Sequence, residues 1–212
     1  MTDIEDLLES VRRDLGDPTT WGLPVEFPDS LALCALNSAY SLRAHSTSGT
    51  NVIARYRAHR PSADSDSGPD LVEAMDRVGG PEAFAQRVLN NASPLPGTRR
   101  VRTIGIHEAL TRLTAIGVTT TSQLRAEAHE TSTRRAWLSV SGLGKLSWAY
   151  LLMNAGVEDL TKPDVIVQRY LTGALGRDRI DPGRAQELLV AVAEELNVTP
   201  RRLDRAIWLR GR

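Results

Sequence analysis

Residues 137–152 read WLSVSGLGKLSWAYLL, and the Gly142-Leu143-Gly144 turn at their centre organises the rest. A short helix, Thr133 to Ser139, runs into the two glycines, and a second apolar helix follows at once. Glycine lets the backbone turn sharply and lets another surface approach it closely. Leu143 between the glycines can plug a core and fix the angle of the hairpin. The amides that open the second helix then point outward with the positive end of the helix dipole, a place suited to a phosphate. Such a contact positions a nucleic acid without reading its sequence. An ordinary tight link between two packed helices would carry the same Gly-x-Gly, so the turn alone leaves both readings open.

Helical periodicity extends along the whole chain. Ile4, Leu7, Leu8, Val11 and Leu15 share one face, and Gly16 stops that helix. Pro28-Asp29-Ser30 opens another that runs through Leu33, Leu36 and Tyr40. Pro81 stands where a first-turn proline belongs, and Ile106, Leu110, Leu113 and Ile116 form a stripe closed by Gly117. Asp181-Pro182 and Thr199-Pro200 each pair a capping side chain with a proline at the first helical position. No segment alternates as a strand would. The expectation is an all-α fold of about ten helices. Two stretches, Arg60 to Asp70 and Ala92 to Thr98, read as loops from their Pro, Ser, Asp and Gly content.

Composition narrows the function. The 212 residues suffice for one large domain or two small lobes. No apolar run reaches the roughly 20 residues of a membrane span, and the acidic start, Met1 to Glu9, lacks a signal-peptide pattern, so no membrane role and a cytoplasmic location are expected. The single cysteine, Cys34, excludes an internal disulfide and a four-cysteine metal or iron–sulfur site within one chain. His45, His59, His107 and His129 show no paired spacing, so no metal site is expected, and Ser141 lacks the histidine–acid pattern of a nucleophile. Formal net charge is zero, but residues 1–30 carry a net of −6, residues 31–60 a net of +4, and residues 81–150 a net of +5. A neutral total therefore does not exclude a polyanion partner.

The hairpin and the residues after it, VSGLGKLSWAYLLMNAGVEDLTKPDVIVQRYL, resemble the helix-hairpin-helix Gly/Pro-Asp superfamily of DNA glycosylases, the endonuclease III-like group. In that group a hairpin leads into an apolar helix, a short loop, and an aspartate that opens the next helix. Here Asp164 follows Lys162-Pro163, twenty positions after Gly144, and Arg169 lies five further on. The resemblance implies two helical lobes with a cleft between them: residues 31–155 with the hairpin, and residues 1–30 plus 156–212 with the aspartate. It implies duplex DNA as partner, bound through Gly142, Leu143, Gly144, Lys145, Leu146, Arg43 and Arg169, by a monomer. Asp164 would be catalytic. Tyr40 and Trp148 are the aromatic candidates for a pocket around a base turned out of the duplex. Upstream, Thr103 to Ile106 resembles the smaller hairpin of these proteins, and Asn37 to Ala44 with Asn51 to Ala54 the segment facing the extruded base. Tyr40, Arg43 and His45 stand near the place of a gap-filling glutamine, and which of them takes that role stays open.

Departures sharpen the expectation. Ser141 replaces the hairpin proline. Leu146 stands where bifunctional members hold a Schiff-base lysine, and Lys145, one residue earlier, is turned by about 100° around the helix. A monofunctional enzyme is therefore expected, with no cofactor, no iron–sulfur cluster, and at most a monovalent cation at the hairpin. A non-catalytic DNA-binding module is the alternative, and aspartate after proline is also an ordinary helix cap.

Overall fold

The computed structural model describes residues 2–22, 26–44, 46–157 and 165–211. Among them the chain is all-α, with twelve helices, two 3-10 turns and no strand beyond one isolated bridge, Pro94 to Val101. In chain order the helices are α1 (Asp3–Leu15), α2 (Leu31–Tyr40), α3 (Ser46–His59), α4 (Gly68–Arg77), α5 (Pro81–Arg87) and α6 (Arg102–Ala115). Then come α7 (Thr121–Ala126), α8 (Thr131–Leu138), α9 (Lys145–Asn154), α10 (Val165–Ala174), α11 (Pro182–Glu195) and α12 (Pro200–Arg210). None of the described helices is long and apolar enough to cross a membrane.

Local chemistry accounts for most of the boundaries. Thr2 and Glu5 form a reciprocal capping box on α1, and Gly16 ends that helix at φ 66°. Ser30, Asp181 and Thr199 cap α2, α11 and α12 through side-chain oxygens that accept first-turn amides. Pro81 is the first residue of α5.

The helices group into two units, Met1–Val25 with Glu158–Arg212, and Glu26–Val157. In the first, Leu7 and Val11 of α1 share a core with Val167, Leu171, Leu188, Leu189, Val192, Leu203 and Ile207. The Trp21 indole closes it, donating to the Leu15 carbonyl at 2.9 Å.

The middle unit is built around α2. Leu31 through Leu36, Ala39 and Tyr40 are all fully buried, so this helix is covered on every side, as an apolar helix without a polar face must be. It packs on α9 and α3, and α4 packs on α6. Asn154 fixes α9 against α2: its side-chain oxygen accepts from the Asn37 amide at 3.1 Å and its carbonyl accepts from the Phe27 N–H at 2.7 Å.

Two sequence expectations are corrected here. Thr103 to Ile106 is no hairpin turn; these residues lie in the first turns of α6, which begins at Arg102. Arg60 to Asp70 is not all loop, because Ala63–Ser65 form a 3-10 turn and a Ser67–Asp70 capping box starts α4 at Gly68.

Candidate nucleic-acid interface

The turn between α8 and α9 is held from three sides. Val140 N–H donates to the Trp137 carbonyl and Leu143 N–H to the Val140 carbonyl at 3.0 Å, which folds the chain back on itself. Gly142 takes φ 92°, where side chains are strained. A methyl group there would lie 2.7 Å from Leu95 Cβ and 3.1 Å from Thr98 Cγ2. Leu95 is itself fully buried, and its Cδ1 also fills the space above Gly105, where an added Cβ would lie 2.4 Å from it. The loop at 92–98 thus braces the hairpin from behind. Leu143 is 2% exposed and plugs the core as expected.

A buried hydrogen-bond relay sets the angle between the two helices. The Trp137 indole donates to Ser147 Oγ at 2.9 Å, and Ser147 Oγ donates to the Gly144 carbonyl at 2.7 Å. Trp137 and Ser147 are both fully buried, so the relay does not compete with solvent.

Gly144 opens α9 in an extended conformation, φ −95° and ψ −172°, with no side chain capping the first turn. A methyl group on Gly144 would meet nothing within 4 Å. An open hollow of about 510 Å³ lies in front of it, lined by Leu138 to Ser147 together with Leu42, Arg43 and Pro96. Among its described lining residues the charged ones are Arg43 and Lys145, both exposed. The first-turn amides of a helix lack intrahelical partners and carry its positive pole. Two cations, a helix start without a side-chain cap and no Asp or Glu among its described lining residues make this hollow a place where an anion gains charge-assisted hydrogen bonds. Leu146 is half-buried in the wall.

Gly142, Leu143, Gly144, Lys145, Leu146 and Arg43, singled out from sequence, therefore line one hollow. Arg43 reaches it from the end of α2, in a left-handed conformation with φ 44°. Arg169 is exposed on α10, in the other unit. Tyr40 requires correction as a stacking candidate. It is fully buried, its hydroxyl donates to the Asn91 carbonyl at 2.9 Å, and burial pushes the phenol pKa well above its usual value. With no ring face uncovered, Tyr40 is a packing residue. Trp148 is buried on α9 with 7% of its surface exposed. Asp164, with Lys162 and Pro163, and His45 lie outside the described residues. Sequence reasoning missed Leu42 and Pro96 as walls of the hollow. The prolines and glycine of Ala92 to Thr98 marked a loop, but nothing local tied that loop to a hairpin some forty residues away.

The fold and the hollow define an all-α protein with a tight glycine turn between α8 and α9, and the chain belongs to the family described as Domain of unknown function (DUF8548), whose model matches residues 5–212. No curated protein matches it. Among solved structures it is similar to a crystal structure of Tm1821, the 8-oxoguanine DNA glycosylase of Thermotoga maritima, at 19% identity. That similarity covers 97% of this chain and 95% of the other, with a TM-score of 0.45.

Proposed function

We propose that this protein binds duplex DNA at the hairpin hollow and hydrolyses the N-glycosidic bond of a modified or mismatched base, as a monofunctional DNA glycosylase. The observation that carries the reading is the open hollow in which Arg43, Lys145 and the start of α9 converge, with no Asp or Glu among its described lining residues. A DNA phosphate seated there would accept from backbone amides and two cations, a contact that fixes register without reading sequence.

The chemistry follows from the residues downstream of the hairpin. Breaking the bond between base and sugar builds positive charge on the deoxyribose, and a carboxylate facing that charge stabilises it and orients a water. Asp164 is assigned that role on its spacing from Gly144. The base must first leave the stack. Leu146 offers no amine, so water and not a lysine takes the sugar carbon, and the product is a free base with an abasic site. Arg169 is assigned a second contact to the DNA backbone.

The test is incubation with duplexes carrying a panel of lesions and modified bases, scored for abasic sites. Release of base by the wild type is the expected result. Asp164→Asn keeps the size of the side chain and its capping ability but removes the charge. Base release should then fall on the order of a thousandfold or more, while duplex binding stays within about twofold. An Asn variant that excises at the wild-type rate would falsify the catalytic assignment. Salt-sensitive duplex binding with no base released from any substrate identifies a non-catalytic DNA-binding module instead.

A further inference from the structure

Arg102 is the first residue of α6, and it is 5% exposed. Its Nη1 donates to the Ala39 carbonyl, its Nη2 to the Leu42 carbonyl at 3.0 Å and its Nε to Ser93 Oγ at 3.0 Å. Its backbone N–H donates to the Ser93 carbonyl at 3.1 Å. The guanidinium carbon lies 5.6 Å from the centroid of the Tyr40 ring. No carboxylate is among these partners. A buried cation without an anion is costly unless its donors are satisfied; here the Ala39 carbonyl at the negative end of α2, the Leu42 carbonyl just beyond that helix and Ser93 Oγ satisfy them.

The two sides of this fork lead to the two flanks of the hollow. On one side Leu42 is followed by Arg43, whose left-handed backbone persists only where the surroundings over-determine it. On the other, Ser93 is the root of the turn that carries Pro96 on the wall of the hollow and Leu95 against Gly142. We infer that Arg102 is a positioning residue: it pins the Arg43 turn and the Pro96 turn to one another, so that Arg43 is held ready for a phosphate at the hairpin. The inference rests on the hollow being the DNA contact. The planar fork is essential to it, because a lysine keeps the charge but cannot span three acceptors.

A double-mutant cycle separates positioning from general stability. Duplex affinity is measured at one fixed salt concentration for the wild type, Arg43→Ala, Arg102→Lys and the double variant. Arg102→Lys should weaken binding about fivefold to tenfold when Arg43 is present, the cost of ordering one loosened side chain, and less than about twofold when Arg43 is absent. Equal losses in both backgrounds, or no loss in either, overturn the inference. Should Arg102→Lys fail to fold, Ser93→Ala, which removes one partner only, enters the same cycle. A second measurement needs no DNA. Amide exchange in Arg102→Lys should rise together at residues 41–44 and 94–101 and stay unchanged along α9. Loosening of one flank alone overturns the brace. A wild type that shows no salt-sensitive duplex binding defeats the hairpin reading instead, and leaves the exchange result to decide the brace.

Discussion

A methyl group added at Gly142 meets Leu95 and Thr98, whereas one added at Gly144 meets nothing. The two glycines therefore serve different ends. Gly142→Ala combines a left-handed backbone with overpacking against Leu95, and should cost roughly 2–4 kcal/mol in urea unfolding. Gly144→Val has an extended backbone and free space, so the unfolding midpoint should hold while duplex affinity falls about tenfold for all sequences alike, because the phosphate can no longer reach the amides. Unchanged affinity at low salt would remove the hairpin from the interface. In the sequence the pair is symmetric about Leu143, and only the fold, through the left-handed backbone at Gly142 and the packing of Leu95 and Thr98, distinguishes them. Arg43 was legible as a candidate from its charge and its place after α2. Tyr40 was not legible as core, because the carbonyl that receives its hydroxyl, Asn91, is 51 residues away.

Helix starts were the legible part of the fold, since a cap is a hydrogen bond between neighbours. Ser30, Asp181-Pro182, Thr199-Pro200 and the glycine stop at Gly16 each fell where the sequence put them. The start of α6 at Arg102 was not legible, because Arg102 is anchored by the carbonyls of Ala39 and Leu42 and by Ser93. A similar long-range tie holds α2, α3 and α4 together. The Asp66 carboxylate accepts from the Tyr56 hydroxyl at 2.5 Å and from Arg60 at 2.7 and 3.0 Å, and its carbonyl accepts from Ala32 N–H and Ser30 Oγ. Burial pushes the Asp66 carboxyl upward, but the hydrogen bonds from Arg60 and Tyr56 outweigh it and hold the group below its ordinary value. A carboxyl held low in the folded state adds stability above its unfolded pKa, about 3.9, and that stability is lost as pH falls through the folded value. Urea midpoints should thus drop on acidification below about pH 4, and Asp66→Ala should flatten that part of the profile. At neutral pH Asp66→Ala should cost about 3–5 kcal/mol, because Arg60 loses its buried partner. A wild-type acid profile matching that of the variant would remove Asp66 as its source.

Over the whole chain the charges cancel, but the two units do not share them equally. Glu26–Val157 holds fourteen Lys and Arg against eleven Asp and Glu, a net of +3, and the remainder of the chain therefore carries −3. The unit with the hairpin is the basic one. Duplex affinity should decline linearly on a log–log plot against salt, with a slope near −0.9 per phosphate neutralised. Arg43→Ala and Lys145→Ala should each reduce that slope by about one and weaken all sequences equally. A slope that ignores both substitutions would place the DNA elsewhere on the molecule. Sequence blocks revealed the charge segregation, because charge is additive along a chain. They did not reveal that Pro96 and Arg43 face one hollow, because that depends on how α2, α6 and α9 pack.

Leu95 reaches into the spaces left by the missing side chains of both Gly105 and Gly142. Positions 95 and 105 share one volume, so they should drift together during descent, while Gly142 is fixed by its backbone as well. A member of the family with alanine at the position of Gly105 should carry a smaller residue in place of Leu95. One with a bulkier residue there should never do without either glycine. An alignment of the family would then show size exchanging between positions 95 and 105 while their total stays constant, with glycine kept at 142 by its left-handed backbone, a record of the hairpin's support written in inheritance.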